Sequence, residues 1–200
     1  MPITATYQRT FQASGLSFNN TQALSAEVAP PFSVTLPAAK TGTLTTRTDA
    51  NTGELTMASG HGITTGARLD LYWSGGSRRG ITVGTVATNS VPFDLGDGDD
   101  LPVATTAITA MVPAENTLAV PGDDLVGLAV SCPVGGTVVF AAADDSEIYA
   151  SVRTTASPSE VISVADGTNP FEGETVAKVF LSHGSSAAAS TLTGVVMYDD

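Results

Sequence analysis

The sequence predicts an all-β protein, and three observations support this fold class. Short segments rich in Val, Ile, Thr and aromatic residues recur along the chain, and several alternate apolar with polar residues. Gly, Pro, Asn or Thr interrupts almost every window long enough for an amphipathic helix. The 20 glycines and 11 prolines supply turns between the segments. Short strands at this spacing are typical of sandwiches and barrels.

The segment Arg68–Trp73 shows the clearest strand pattern. Leu69, Leu71 and Trp73 share one face, which we expect in the core, and the intervening residues share a face that we expect in water. Ten other segments have strand character. In chain order they are Ile3–Phe11, Phe32–Leu36, Gly53–Met57, Ile81–Val86, Thr106–Val112, Leu125–Ser131, Thr137–Ala141, Ile148–Arg153, Val176–Leu181 and Thr191–Tyr198.

A glycine-rich stretch, Ser74–Gly80, separates Arg68–Trp73 from Ile81–Val86. It predicts an antiparallel hairpin with a long loop, because its glycines supply the positive φ angles that such a tip needs. Arg78 and Arg79 would lie at this tip. They stand out in an acidic chain, and we interpret them either as solvated or as a partner-binding contact with an acidic patch such as Asp144–Glu147 on a neighbouring subunit.

The chain is predicted to have two parts. Residues 41–113 hold most of the Thr-Gly hairpins and are expected to form a small β-barrel module between two linkers, Pro37–Lys40 and Pro113–Asn116. Residues 1–40 and 114–200 are expected to form one discontinuous, jelly-roll-like β-sandwich domain. Two sequential domains meeting near residue 114 remain the alternative, so the module is either inserted or appended.

Charge and composition exclude several functions. Eight basic against 20 acidic residues give a net charge of -12, which repels phosphate backbones, so we expect no nucleic-acid partner. No run of about 18 apolar residues is present, so we expect no membrane span. The start lacks a signal-peptide pattern, which predicts synthesis in the cytoplasm. Cys132 is the only cysteine and is interpreted as a small buried hydrophobe.

The segment Asp94–Asp100 is the best metal candidate, because alternating Asp and Gly can present several oxygens to a hard cation. The EF-hand pattern fails, since the twelfth residue from Asp94 is Thr105 rather than Glu. We prefer a solvated acidic loop and keep calcium as the alternative. The four possible ligands are Asp94, Asp97, Asp99 and Asp100.

No pattern of nucleophilic or cofactor chemistry stands out. His61 and His183 each precede a glycine, and we interpret both as residues that order turns, since no Cys or carboxylate accompanies them at zinc-ligand spacing. Ser185 and Ser186 lie beside His183 but lack the G-x-S-x-G elbow. We therefore expect a protein that is not an enzyme and that uses no cofactor.

One stretch carries a family resemblance. Leu55–Leu71 contains a strand, a turn over Gly60, His61 and Gly62, and a second turn at Gly66, followed by Ile81–Val86 and Asn89–Phe93. This order resembles a small β-barrel module that recurs in bacteriophage virion proteins. The glycines allow two chain reversals in seven residues, and His61 can hydrogen-bond backbone groups across the turn.

The resemblance implies a virion structural protein made in the host cytoplasm. We expect a capsid decoration or cement protein on the outer capsid surface, bound to the major capsid protein and to copies of itself as a homotrimer, that stabilises the particle. A tail component (tube, baseplate or fibre) is one alternative. A carbohydrate-binding or adhesion module is another; it would need an aromatic platform of Tyr72 and Trp73, but period two places Trp73 on the core face.

Overall fold

The computed structural model describes residues 26–28, 32–117, 125–163, 170, 171, 173–187 and 189–199. All regular elements in these ranges are strands, which confirms the all-β class. Helices long and apolar enough to cross a membrane are therefore absent from the described ranges. The strands are β1 (Ala26–Val28), β2 (Phe32–Leu36), β3 (Lys40–Arg47), β4 (Gly53–Met57), β5 (Arg68–Trp73), β6 (Gly76–Val83), β7 (Ser90–Asp94), β8 (Asp97–Gly98), β9 (Ala107–Met111), β10 (Ala114–Thr117), β11 (Leu125–Ser131), β12 (Gly136–Ala141), β13 (Glu147–Arg153), β14 (Ser159–Ser163), β15 (Lys178–Ser182) and β16 (Ser190–Asp199).

The chain divides into two compact units. The barrel unit consists of Leu36–Ala114 and Ser182–Ala189, and the flanking unit contains the other described residues. The sequence predicts the barrel module at 41–113, and its pattern does not indicate that 182–189 belongs to the same unit. We call Ser182–Ala189 the return segment, because through it the chain joins the barrel unit a second time.

A closed barrel of six antiparallel strands forms the body of the barrel unit. The strand order is β5-β9-β3-β4-β7-β6, and β6 pairs back to β5. The short strand β8 adds to the other side of β6 at Arg78 and Arg79. The closed barrel has no free sheet edge among its six strands, so its backbone groups satisfy one another around the ring.

Period-two alternation fills the barrel with apolar side chains, most of them aliphatic. Leu69 and Leu71 point inward from β5, as the sequence predicted, and Trp73 packs against the same core. The other buried members are Leu44, Leu55, Met57, Ile63, Ile81, Val83, Val91, Phe93, Leu101, Ile108 and Ala110. Burial of this many apolar side chains, at roughly 1.5–3 kcal/mol each, drives closure.

Two sheets make up the flanking unit. One has the order β1-β16-β11-β14, with β2 also paired to β16, and the other has the order β10-β15-β12-β13. The side chains of β12 are buried on both faces, and Phe140, Tyr149 and Phe171 contact one another with ring centroids 5.1 to 6.4 Å apart. The jelly-roll-like sandwich stays a prediction.

Several predicted strands have the observed bounds, and the misses have a common cause. Phe32–Leu36, Gly53–Met57, Arg68–Trp73 and Leu125–Ser131 agree residue for residue, whereas Ile3–Phe11 lies outside the described residues. The two expected linkers are partly strand. Lys40 begins β3, and Ala114–Thr117 forms β10 at the edge of a sheet. Polar composition conceals both strands, even though β3 pairs with β4, the next strand along the chain.

The expected long hairpin loop is wrong. Trp73 pairs directly with Gly76, so only Ser74 and Gly75 form the turn, and Gly76–Gly80 belongs to β6. A Cβ on Gly76 would lie 2.7 Å from the Trp73 ring, and one on Gly80 would lie 2.8 Å from the Arg68 guanidinium. These glycines let large side chains cross the strand, which is a role that the sequence pattern of a loop does not distinguish.

Candidate functional site

Arg78 lies in β6 and is only 5% exposed, so its predicted place on an exposed tip is wrong. Its Nε donates to the Leu95 carbonyl at 2.9 Å and its Nη1 to the Asp99 carbonyl at 3.0 Å, while Nη2 donates to the carbonyl of Gly96. Because these three acceptors occupy the guanidinium, Arg78 is not available as a docking contact. It fastens Leu95–Asp99 to the barrel, and we call that segment the clamped loop.

Arg79 also lies in β6 rather than at a tip. It is half-buried and pairs in register with Asp97 of β8. Its positive charge contributes to the field at the buried Asp70 carboxylate. The two adjacent arginines therefore belong to a strand, where Arg78 holds the clamped loop. The tip of the hairpin is formed by Ser74 and Gly75.

The four aspartates of the calcium hypothesis do not converge on one point. The Asp94 carboxylate accepts a hydrogen bond from the Thr52 hydroxyl at 2.7 Å, and the Asp99 carboxylate accepts one from the Ser77 N–H at 3.0 Å. Asp97 lies in β8, and all four side chains are exposed. Within the described residues, no three His, Cys, Asp or Glu side chains are grouped to hold a metal ion. The calcium interpretation is thus not supported.

The glycines of this segment explain its alternating pattern. Gly96 has φ of 83°, and a Cβ there would lie 2.6 Å from the Arg79 carbonyl oxygen; at Gly98, with φ of 118°, it would lie 2.6 Å from that of Ser77. Both positions require glycine because the loop backbone lies directly on β6. The sequence pattern that resembles a cation loop is the pattern of a close backbone contact.

A buried polar network lies on the face of β5 that was expected in water. Asp70 accepts hydrogen bonds from the Gly80 N–H at 2.9 Å and from the Ser182 hydroxyl. The Tyr72 hydroxyl lies 2.7 Å from the Ser182 oxygen. Since the Ser182 hydroxyl donates its proton to the Asp70 carboxyl group, Tyr72 donates to Ser182. The expectation of a wet face is therefore wrong here, because the return segment covers it.

Burial raises the pKa of Asp70 above its usual range. Hydrogen bonds from Ser182 and Gly80, and the charges of Arg68 and Arg79, act in the opposite direction. A buried carboxylate is costly unless such partners compensate it. No sequence signal singled out Asp70 or Ser182, because these two hydrogen-bonded residues are 112 positions apart in the chain.

Three further contacts hold the return segment to the barrel. Thr109 donates from its hydroxyl to the Gly184 carbonyl at 2.9 Å, and the Ala39 N–H donates to the Ser185 carbonyl at 2.8 Å. The His183 N–H points to the Met111 sulfur at 3.4 Å. Gly184 passes so close to Tyr72 that a Cβ would lie 2.7 Å from its ring. The segment is thus an integral part of the barrel unit.

Both histidines are buried and make turn contacts. The Ile63 N–H donates to His61 Nδ1 at 3.0 Å, so Nε2 carries the proton and donates to the Thr88 carbonyl at 2.9 Å. His61 therefore joins two turns, next to Gly60, Gly62 and Gly66, whose φ angles are 75°, 74° and 80°.

His183 accepts from the Ser185 N–H at its Nδ1, at 3.1 Å. Burial lowers the pKa of His183, and the nearby carbonyls of Leu36 and Pro37 oppose that shift. The neutral form that burial favours suits an acceptor Nδ1.

Tyr72 and Trp73 do not form the exposed aromatic platform that a carbohydrate-binding module would need. Trp73 packs against the barrel core, and the Tyr72 hydroxyl is hydrogen-bonded to Ser182.

The flanking unit has an open cleft of about 400 Å³ beside Arg153 and Glu160. The Glu160 carboxylate accepts a hydrogen bond from the Tyr149 hydroxyl at 2.7 Å, which ties β14 to β13.

The suggested acidic patch for a docking arginine is a turn with its own partners. Asp145 and Glu115 both form ion pairs with Lys178, and Asp144 accepts from the backbone and hydroxyl of Ser146. Hydrogen bonds from Ser146 hold the pKa of Asp144 below its usual value. These are structural contacts of an exposed turn.

The described polar side chains that could take part in catalysis or binding thus have structural roles. Asp70, Ser182 and the histidines are buried and hold turns and the return segment in place. Arg78 holds the clamped loop, which presents Leu95 at the surface. In comparisons with known proteins, no protein-family profile, curated protein or solved structure matches the chain.

Proposed function

We propose that this protein is a non-enzymatic structural component of a bacteriophage virion, and specifically a capsid decoration or cement protein. It would bind the outer surface of the major capsid lattice, next to copies of itself, and stabilise the particle. Because it binds only the assembled lattice, each bound copy adds stability by mass action.

The observation that carries the proposal is the His61 turn within a closed barrel. The strand, His-Gly turn, Thr-Gly turn and hairpin of Leu55–Phe93 provide β4, β5, β6 and β7 of the six-stranded ring. That is the kind of module the sequence resemblance implies. The histidine fixes the turn through two backbone hydrogen bonds, so the motif has a structural reason that needs no catalysis.

Burial of the reactive groups supports a function without catalysis. Asp70, Ser182 and His183 would be the residues of interest for hydrolysis, yet all three are almost inaccessible to water. Catalytic groups must reach a substrate, and these instead hold the return segment on the barrel.

Electron microscopy of the intact particle tests the proposal. We expect density that fits the barrel unit on the outer capsid surface, at many equivalent positions. Density in the tail would replace the cement assignment with the tail alternative, and a particle without the protein would refute both. Adding the purified protein to particles that lack it should raise their disruption temperature.

A further inference from the structure

Leu95 is a large apolar residue in an unusual position. It is 61% exposed and has φ of 67°, in the left-handed region that bulky residues avoid. Glycine or asparagine suits such a position better, and exposure deprives the leucine of a packing role. Stability of the barrel alone therefore gives no reason for a leucine here.

The backbone under Leu95 is held firmly. Arg78 binds the carbonyls of Leu95, Gly96 and Asp99 from below, and the Asp99 side chain and N–H both bond the backbone of Ser77 at 3.0 Å. Burying a guanidinium costs desolvation free energy, and here the buried group holds an exposed loop. A loop already fixed in one conformation loses little entropy on binding, so this arrangement favours docking.

A second exposed apolar residue lies at the same end of the barrel. β7 ends at Asp94 beside Gly53, where β4 begins, and the turn between β3 and β4 contacts Leu101 through Ala50 and Arg47. Val103, which is 76% exposed, lies two residues after Leu101 in this region. Two apolar side chains therefore project from the loops of one barrel end.

Negative charge surrounds these apolar residues. The exposed aspartates at this end are Asp49, Asp94, Asp97, Asp99 and Asp100, against one exposed arginine, Arg47. A partner that covers Leu95 must face these carboxylates, and lysine or arginine at its rim would complement them. Apolar contact at the centre with charges at the rim is the usual anatomy of a protein interface.

We propose that the clamped loop is a docking surface whose Leu95 inserts into an apolar pocket, rimmed by Lys or Arg, on a neighbouring protein subunit. The identification of that subunit as a component of the capsid lattice rests on the proposed function. Arg78 acts as a positioning residue beneath the contact and takes no part in it.

The variant Leu95→Asn separates docking from folding. Asparagine tolerates positive φ, so the melting temperature should stay equal to that of the wild type or rise, while binding should fall about tenfold or more. The matched control is Val112→Asn, which changes a residue that is 45% exposed and lies outside the loop. Control and wild type should bind alike.

Binding is measured by sedimentation with particles that lack the protein, at low and high NaCl. We expect wild-type binding to weaken as salt rises. Equal binding by Leu95→Asn and the wild type would refute the docking surface while leaving the virion assignment intact. A lower melting temperature for Leu95→Asn would show that Leu95 serves the fold and would also refute the proposal.

A second measurement covers failure of the virion assignment. A random peptide library is selected on the immobilised full chain, and the wild-type protein or Leu95→Asn is added as competitor. We expect enrichment of peptides that combine basic with bulky apolar residues and that only the wild type displaces. Peptides displaced equally by both proteins, or without basic residues, would refute the docking surface whatever the location of the protein.

Discussion

At the scale of single residues, buried polar groups define the barrel unit as much as its aliphatic core. Asp70 is a carboxylate inside a protein whose net charge is -12, and its partners come from β6 and from the return segment. Arg78 is a buried cation that donates hydrogen bonds to three backbone carbonyls of the clamped loop. Each residue fixes a piece of chain that hydrophobic packing alone would leave loose.

Asp70 should make stability depend on pH. Burial raises the pKa of Asp70 in the folded state. The contribution of Asp70 to stability is therefore fully present at pH values below its pKa in the unfolded chain, and it is lost as pH rises through its pKa in the folded protein. The free energy of unfolding of the wild type, minus that of Asp70→Asn, should therefore decrease from about pH 4 towards neutrality. Urea titrations at several pH values measure this difference. A difference that is constant or increases with pH would contradict the assignment.

His61 should stabilise the barrel through its two hydrogen bonds. Replacing it by alanine leaves the Ile63 N–H and the Thr88 carbonyl without their partner, which should cost about 1–3 kcal/mol. Chemical denaturation gives the value, and Thr64→Ala, at an exposed position in the same turn, serves as control. If both variants lost the same small amount, the turn would not depend on the imidazole.

At the scale of elements, sequence prediction succeeded where alternation is regular. Arg68–Trp73 was located at its observed bounds because period-two alternation and its aromatic residues both favour a strand there. The clamped loop and β8 were missed because their meaning depends on contact with β6. In a sequence, glycine predicts a loop. The structure shows that four glycines instead make room for a neighbouring group, namely Gly76, Gly80, Gly96 and Gly98.

Gly96 and Gly62 separate steric from conformational effects. Both have positive φ, so an alanine pays a similar backbone cost of about 1 kcal/mol at either site. A Cβ at Gly62 meets nothing within 4 Å, whereas at Gly96 it collides with the Arg79 carbonyl. Gly96→Ala should thus destabilise the protein by about 2 kcal/mol more than Gly62→Ala in chemical denaturation. Equal losses would show that the clamped loop moves away without cost.

At the scale of the whole molecule, the chain passes between its two units four times, at residues 35 to 36, 114 to 115, 181 to 182 and 189 to 190. The sequence indicated the first two passages through changes in composition. It gave no sign of the other two, because the return segment is a short Ser-Ala stretch whose partners, Asp70 and Thr109, lie in the barrel. Its weak pattern is typical of a loop.

The four passages should couple the units. Leu71→Ala removes a fully buried side chain of the barrel core and should cost about 2–5 kcal/mol. Amide protection measured by hydrogen exchange should then fall in the barrel and also at the ends of β15 and β16 that flank the return segment. Loss of protection confined to Leu36–Ala114 would mean that the units unfold independently.

The position of the return segment also has a consequence for biosynthesis. On the ribosome, every strand of the barrel is made before Ser182, so the nascent barrel lacks the hydroxyl that Asp70 needs until most of the chain has emerged. We expect chains arrested after residue 181 to hold a barrel that proteases cleave faster than the barrel of the full chain. Equal cleavage of both would show that the ring matures without its last piece.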